Sequence, residues 1–288
     1  MPTTVSDAFT TLHSWLTPSA AESASAAFHR ASIEACLRNN FGMTNFFRSG
    51  SFGHGTSISG YSDVDHMAVL PTTYLHQNSG TTLARLRNAL AYRFPRTAVS
   101  VRSPAVVVPF GTKIWERHEI TPADYMGKTN GSSVYEIPNR YGGWMTTSPH
   151  AHGEWINEIN KRNPGTKTLI RFIKLWNYRR DVGIRSFYLE MRVAQYAASE
   201  TYISYPVDIL RALNFLRNKG LAAMQDPTGL CGNFYPCSDA AKTDAISKLD
   251  TAIMRAERAY NHHQCGRVID AFADYDLLFN GHFPAWSY

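Results

Sequence analysis

Cysteine is scarce in this chain. Cys36, Cys231, Cys237 and Cys265 are the whole complement. Thiols so few and so scattered exclude a disulfide framework of the kind that staples small secreted domains. Long apolar runs are missing as well. No uncharged hydrophobic stretch approaches the ~20 residues that a helix needs to cross a bilayer, so no membrane association is expected. The opening MPTTVSDAFTTLHSW lacks both the basic stretch and the apolar run of a secretory signal, and a cytoplasmic protein is expected. There is no internal repeat, heptad array or low-complexity tail, which sets aside solenoids and coiled coils.

What is present is enough apolar material for a substantial core: 44% of 288 residues. The formal charge of +6 permits a polyanionic partner. It suits a phosphate-rich small ligand as well as a nucleic acid.

The pattern along the chain changes character midway. Helical spacing runs from about Ala20 to Phe47, through Ala27, Ile33, Cys36 and Phe41. Asp63 to Leu70 alternates like a strand, and Thr81 to Tyr92 reads as a helix. Pro104–Phe110 and Glu116–Ala123, joined through Gly111-Thr112-Lys113, read as an antiparallel hairpin. Met126 to Pro149 is rich in Gly, Ser, Thr, Asn and Pro and reads as the connection between two halves. Helices follow at Thr166–Arg180, Ser186–Ser199, Ser238–His262 and Val268–Leu278. The expected fold class is α+β, with the helices gathered on the C-terminal side.

The most informative stretch is SGSFGHGTSISGYSDVDHMAV, residues 49–69. Gly50-Ser51 offers a backbone that can come close to an anion, with the Ser51 N–H and hydroxyl as donors. Asp63 and Asp65 then share one face of a strand. Carboxylates so close need a cation between them or a shifted pKa. Oxygen donors beside phosphate suit Mg²⁺, and a two-ion site can activate a hydroxyl and stabilise a leaving pyrophosphate. A third acid is available at Glu119, on the face shared by Arg117 and Thr121. A D-x-D alone is often a polar strand edge. With the Gly-Ser turn before it and a strand acid after it, the metal site is the better reading.

Gly50-Ser51, Asp63-Val64-Asp65 and a later strand acid resemble the nucleotidyltransferase superfamily of DNA polymerase β. Adding GWMTTSPHAH, LIRFIKLWNYRRDVGIRSFYLE, DPTGLCGNFYPC and FNGHFP, nearly the whole chain resembles the bacterial CD-NTases, relatives of cyclic GMP-AMP synthase and oligoadenylate synthase. The resemblance implies a polymerase-β-like core over residues 1–149 with an N-terminal helix. It implies a helical, oligoadenylate-synthase-like domain over 150–288, with the active site in the cleft between them. It implies a template-independent nucleotidyltransferase with two Mg²⁺ ions (Mn²⁺ able to substitute) on Asp63, Asp65 and Glu119. NTP substrates, ATP and/or GTP, would yield a cyclic di- or trinucleotide second messenger of antiphage defence, read by a separate effector protein. A regulatory protein or RNA would be the activator. Lys174 would reach the donor triphosphate, the Ser186 hydroxyl its terminal phosphate, and Phe187 would stack on a base. One departure stands out: the tempting Val106-Val107-Val108-Pro109 carries no acid, which is why Glu119 on the next strand is taken. Transfer to an RNA end or a small molecule, and a silent nucleotide or RNA sensor, remain open.

From the residues alone, Lys174 reads as a lysine snorkelling beside apolar surface, Ser186 as a helix N-cap and Phe187 equally as core. His66 reads as packed, and His150 and His152 as loop residues. Arg179, Arg180 and Arg185 read as solvated helix ends. Cys231 and Cys237, with His262, His263 and Cys265, lack knuckle spacing, so free thiols are favoured over zinc, a point left open.

Overall fold

The computed structural model describes residues 2–111, 113 and 116–287. In chain order its elements are α1 (Val5–Leu16), α2 (Ala20–Phe41), β1 (Asn45–Arg48), α3 (Gly50–His54), β2 (Val64–Val69), α4 (Ser79–Arg93), β3 (Ser100–Arg102), β4 (Ala105–Pro109), β5 (Arg117–Thr129), β6 (Ser132–Pro138), β7 (Trp144–Thr147), α5 (Pro149–Arg162), α6 (Thr166–Arg179), α7 (Ser186–Ala197), α8 (Tyr205–Asn218), α9 (Asp239–Gln264) and α10 (Val268–Phe279). The class is α+β. Two units are distinguished: a sheet unit of Pro18–Trp155 with Asp226–Gly232, and a helical unit of Met1–Thr17, Ile156–Gln225 and Asn233–Tyr288. This departs from a cut at residue 149 in three places. The first helix belongs to the helical unit, the boundary falls after Trp155, and the short loop Asp226–Gly232 belongs to the sheet unit.

In the sheet unit, α2 starts at a reciprocal cap. The Glu22 N–H donates to Ser19 Oγ, and the Ser19 N–H donates to the Glu22 carboxylate. Such a cap is worth about 1 kcal/mol. The helix ends at Gly42, whose φ of +58° is left-handed, so it stops short of the expected Phe47. Residues 45–48 instead form β1, antiparallel to β2.

The strand order is β1-β2-β5-β4-β3, with β6 on β5 and β7 on β6. β2 and β5 run parallel, and β4 is antiparallel to β5 as expected. Thr112, in the loop expected between those two strands, lies outside the described residues. β5 does not end at Ala123. It continues through an irregularity at Tyr125/Gly127 and pairs with β6. The expected connection over Met126–Pro149 is therefore largely sheet. Its Asn130-Gly131, both at positive φ, is a hairpin turn rather than a linker.

Helices α2 and α4 cover one sheet face. Ile33, Leu37, Phe41, Leu83, Leu86 and Leu90 pack there with Ala68, Val106, Val108 and Ile120. Because strand side chains alternate, Asp65 and Glu119 point to the opposite face.

In the helical unit, α1 buries Val5, Ala8, Phe9, Leu12 and Leu16. Phe9 sits among Phe172, Tyr275 and Phe283, at centroid distances of 5.3, 4.9 and 5.2 Å. Helices α6, α7, α9 and α10 follow the expected segments closely, and α8 is additional. Among the described residues no helix is long and apolar enough to cross a membrane.

Candidate active site

The parallel pairing of β2 with β5 puts Asp65 directly opposite Glu119. Asp63 immediately precedes the same strand. Arg117, two residues before Glu119, bridges the group: its Nη2 donates to Asp63 Oδ2 at 2.5 Å, and its Nε lies 3.8 Å from Glu119 Oε1. Arg102 on β3 reaches Glu119 Oε1 at 3.4 Å. The structure thus brings Asp63, Asp65 and Glu119 together. β4, carrying Val106, Val107 and Val108, is buried and supplies no acid.

Gly50 has two reasons to be glycine. Its φ is +54°, and a Cβ there would lie 2.1 Å from Asp65 Oδ2. The Asp65 carboxylate therefore rests against bare backbone, and the Ser49 N–H donates to the Asp65 carbonyl at 3.0 Å. Gly50-Ser51 forms the first turn of the short helix α3 rather than an open loop.

The electrostatics follow from crowding. Burial, then the charge of Asp63, pushes the Glu119 carboxyl up to about 7. Burial also opposes the Asp63 charge, but hydrogen bonds with Glu119 and Arg117 outweigh it and hold Asp63 below the usual carboxylate range. For Arg117 the balance is similar: burial lowers its pKa, but the hydrogen bond and charge of Asp63, with Glu119 and Asp65 behind, raise it overall. The cluster is held together by a hydrogen bond between Asp63 and Glu119 and by the guanidinium groups of Arg117 and Arg102. A set of hard carboxylate oxygens that recruits positive charge in this way fits Mg²⁺ or Mn²⁺. Arg117 was placed on this face by strand alternation, but its role in the cluster was not read. A basic residue two positions before a strand acid was the available signal.

The remaining predicted residues lie in the helical unit. Lys174 does not snorkel. It is fully buried, and its Nζ donates to Glu190 Oε1 at 2.7 Å, tying α6 to α7. The ammonium that the resemblance assigns to a triphosphate is thus held by a carboxylate. Ser186 is the first residue of α7, not its N-cap, which is Arg185; the Tyr178 hydroxyl lies 3.4 Å from Ser186 Oγ. Phe187 is half-buried and meets Phe234 edge-on at 4.8 Å.

Other expectations change too. His150 and His152 begin α5 and are not in a loop, and His152 is buried. Arg179 and Arg180 donate to the carbonyls of Asn280 and Leu278 instead of standing in solvent. His66 is packed as expected, fully buried against Phe46.

Residues 3–160 match the family described as Second Messenger Oligonucleotide or Dinucleotide Synthetase domain. No curated protein matches the chain by sequence. Among solved structures, CdnC of E. coli MS115-1 with ATP is similar at a TM-score of 0.74 and 17% identity, covering 97% of this chain and 98% of that one. The same protein has been solved as a CdnC:HORMA-deltaN complex, at a TM-score of 0.67 and 17% identity over 94% and 95% of the two chains. The Bradyrhizobium diazoefficiens CD-NTase CdnG in complex with GTP is similar at 0.72 and 14%, over 96% and 97%. Vibrio cholerae DncV, a cyclic AMP-GMP synthase in complex with a linear intermediate, is similar at 0.67 and 12%, over 84% and 71%.

Proposed function

The chain belongs to the Second Messenger Oligonucleotide or Dinucleotide Synthetase domain family, and from that premise we propose that it joins nucleoside triphosphates into a cyclic di- or trinucleotide with release of pyrophosphate. The observation that carries the reading is the convergence of Asp63, Asp65 and Glu119 from paired parallel strands against the bare backbone of Gly50.

In this reading Asp63, Asp65 and Glu119 hold two divalent ions, Mg²⁺ or Mn²⁺. When bound, those ions supply the charge that acidifies the acceptor ribose hydroxyl and stabilises the departing pyrophosphate. Glu119 gives up the proton it shares with Asp63, and Arg117 releases Asp63. The Gly50-Ser51 turn lets phosphate oxygens approach beside Asp65. The acceptor oxygen bonds to the α-phosphorus, the bond to the β-phosphate oxygen breaks, and the hydroxyl proton passes to solvent. A second round closes the ring. From the helical unit we assign Ser186 to the terminal phosphate, since a helix N-terminus favours anions, and Phe187 to base stacking. Lys174 is assigned to holding α6 on α7 through Glu190, and not to direct phosphate contact.

ATP and GTP are the first substrates to test, because structures similar to this chain contain them. The product would be read by an effector protein in antiphage signalling. The CdnC:HORMA-deltaN complex supports a regulatory protein over RNA as the activator.

The experiment is incubation with all four NTPs and Mg²⁺, phosphatase treatment, and mass spectrometry, beside Asp65→Asn. A phosphatase-resistant product absent from the variant is expected. A linear product would move the reading to a transferase on another acceptor. Nucleotide binding without pyrophosphate release would make the chain a sensor.

A further inference from the structure

Away from the acidic cluster, three residues of the sheet unit converge on one point. His152 stands in the first turn of α5, while Asp226 and Cys231 lie in the loop 226–232. His152 Nε2 is 3.3 Å from Asp226 Oδ1 and 3.7 Å from Cys231 Sγ. One donor atom from each residue lies within 4.8 Å of the other two. His152 and Asp226 are buried and Cys231 is half-buried.

A cysteine, a histidine and an aspartate can form a nucleophilic triad or a metal site. A triad needs the nucleophile on one imidazole nitrogen and the carboxylate on the other. Here both face Nε2, so the imidazole cannot relay a proton between them. A metal site needs all three donors aimed at one centre. With metal–nitrogen and metal–oxygen bonds of about 2.0–2.2 Å and a metal–sulfur bond of about 2.3 Å, tetrahedral edges come to about 3.3–3.4 Å for N···O and about 3.5–3.6 Å for N···S. The two separations from His152 Nε2, 3.3 Å to oxygen and 3.7 Å to sulfur, lie close to those edges, and the oxygen and sulfur are within 4.8 Å of each other.

We propose that His152, Asp226 and Cys231 bind a divalent transition-metal ion, Zn²⁺ by preference, with water in the fourth position. Thiolate and imidazole select zinc over magnesium, which separates this site chemically from the carboxylate cluster. On binding, the Cys231 thiol passes its proton to solvent and the sulfur bonds to the ion. Thiolate, carboxylate and neutral imidazole then balance the dication, so the buried site carries no net charge.

A further observation supports the site. Asp226 is already oriented by its own loop. Oδ2 accepts from the N–H groups of Leu230 and Cys231 at 3.0 and 2.8 Å and from the Thr228 hydroxyl at 2.7 Å, and Oδ1 accepts from the Thr228 N–H at 3.0 Å. Such bonds fix a ligand carboxylate and present Cys231 beside it. Gln225 and Asn233, which flank the loop, belong to the helical unit. The ion would therefore secure this short excursion of the chain to the first turn of α5, which lies in the sheet unit.

The test uses the full chain, stripped with chelator and titrated with Co²⁺. A thiolate-to-cobalt charge-transfer band saturating at one equivalent is expected. It should persist in Asp65→Asn, whose site offers only oxygen donors, and in Cys237→Ser. It should vanish in Cys231→Ser, and His152→Gln should weaken Co²⁺ binding at least about tenfold. The proposal is overturned if wild type shows no band, or if the band survives Cys231→Ser. Should Cys231→Ser fail to fold, the wild-type titration and His152→Gln still decide. Elemental analysis of the untreated protein should find zinc near one equivalent, lost in the same variants.

Discussion

Asp65 and His66 are chain neighbours on β2, as are His118 and Glu119 on β5, yet the two faces of these strands meet burial in opposite ways. On the helix-covered face the His66 and His118 rings stack 5.4 Å apart at 12°, and His66 stacks on Phe46 at 4.7 Å. Burial above all holds both imidazoles down to about 3, so they are neutral aromatic spacers. On the other face burial pushes Glu119 up to about 7, and the cluster keeps its charge through a hydrogen bond between Asp63 and Glu119 and through Arg117 and Arg102. The penalty on charge is the same on both faces. A histidine escapes it by shedding a proton and packing as a ring. Three crowded carboxylates cannot, and they draw guanidinium groups to themselves instead. One face is thereby packed with rings and the other keeps its charge.

The largest effect should separate the faces outright. Asp65→Asn should lower nucleotide turnover by roughly 10³-fold or more, with little change in melting temperature. His118→Phe, which keeps an aromatic ring and removes buried nitrogens that lack partners, should leave turnover within about threefold. Equal losses in the two variants would erase the distinction.

The pH dependence should carry both signs. Between pH 6.5 and about 3 the unfolded chain takes up protons at His66 and His118 that the folded chain refuses. Stability should therefore fall on acidification by about 1.4 kcal/mol per pH unit for each histidine. Denaturant melts of His118→Phe should show that acid slope reduced. Between pH 4.5 and about 7 the folded chain keeps a proton on Glu119 that the unfolded chain releases, so this group favours folding at the acid end and opposes it above pH 7. Metal-free Glu119→Gln should accordingly be more stable than wild type at pH 8, by about 1–3 kcal/mol, while losing turnover. A variant that is both less stable and inactive would make Glu119 a structural residue.

Gly50→Ala should cost about 1–2 kcal/mol of stability through its positive φ. It should also lose activity, because the new methyl displaces the Asp65 carboxylate. The smallest expected effect is Phe187→Ala, a KM increase of about tenfold if the ring stacks on a base. An unchanged KM with a lower melting temperature would leave Phe187 as a packing partner of Phe234.

Much of the sheet unit was legible because its signals are local. The alternation around Asp63-Val64-Asp65 and Glu119-Ile120-Thr121 places side chains by a period of two, and that period survives folding. Other signals were present but were missed or read differently. Val5, Ala8, Phe9, Leu12 and Leu16 keep helical spacing in α1 but are diluted by Ser and Thr. Asn130-Gly131 is a hairpin turn that the surrounding Gly and Ser made look like a linker. The burial of Lys174 against Glu190 could not be read, since that partner sits on another helix and nothing in the spacing marks the pair.

By itself the sequence determined the local pieces of the candidate site: a glycine where backbone must yield, two acids on one strand face, and a third acid on a later strand. These follow from side-chain type and strand period, which act over a few residues. Only the tertiary structure decided which distant groups meet: Arg117 with Asp63, Lys174 with Glu190, and His152 with Asp226 and Cys231. Those pairings span helices and strands far apart in the chain. They are set by which buried charges can find a partner once the apolar faces have packed, a condition that no local pattern encodes.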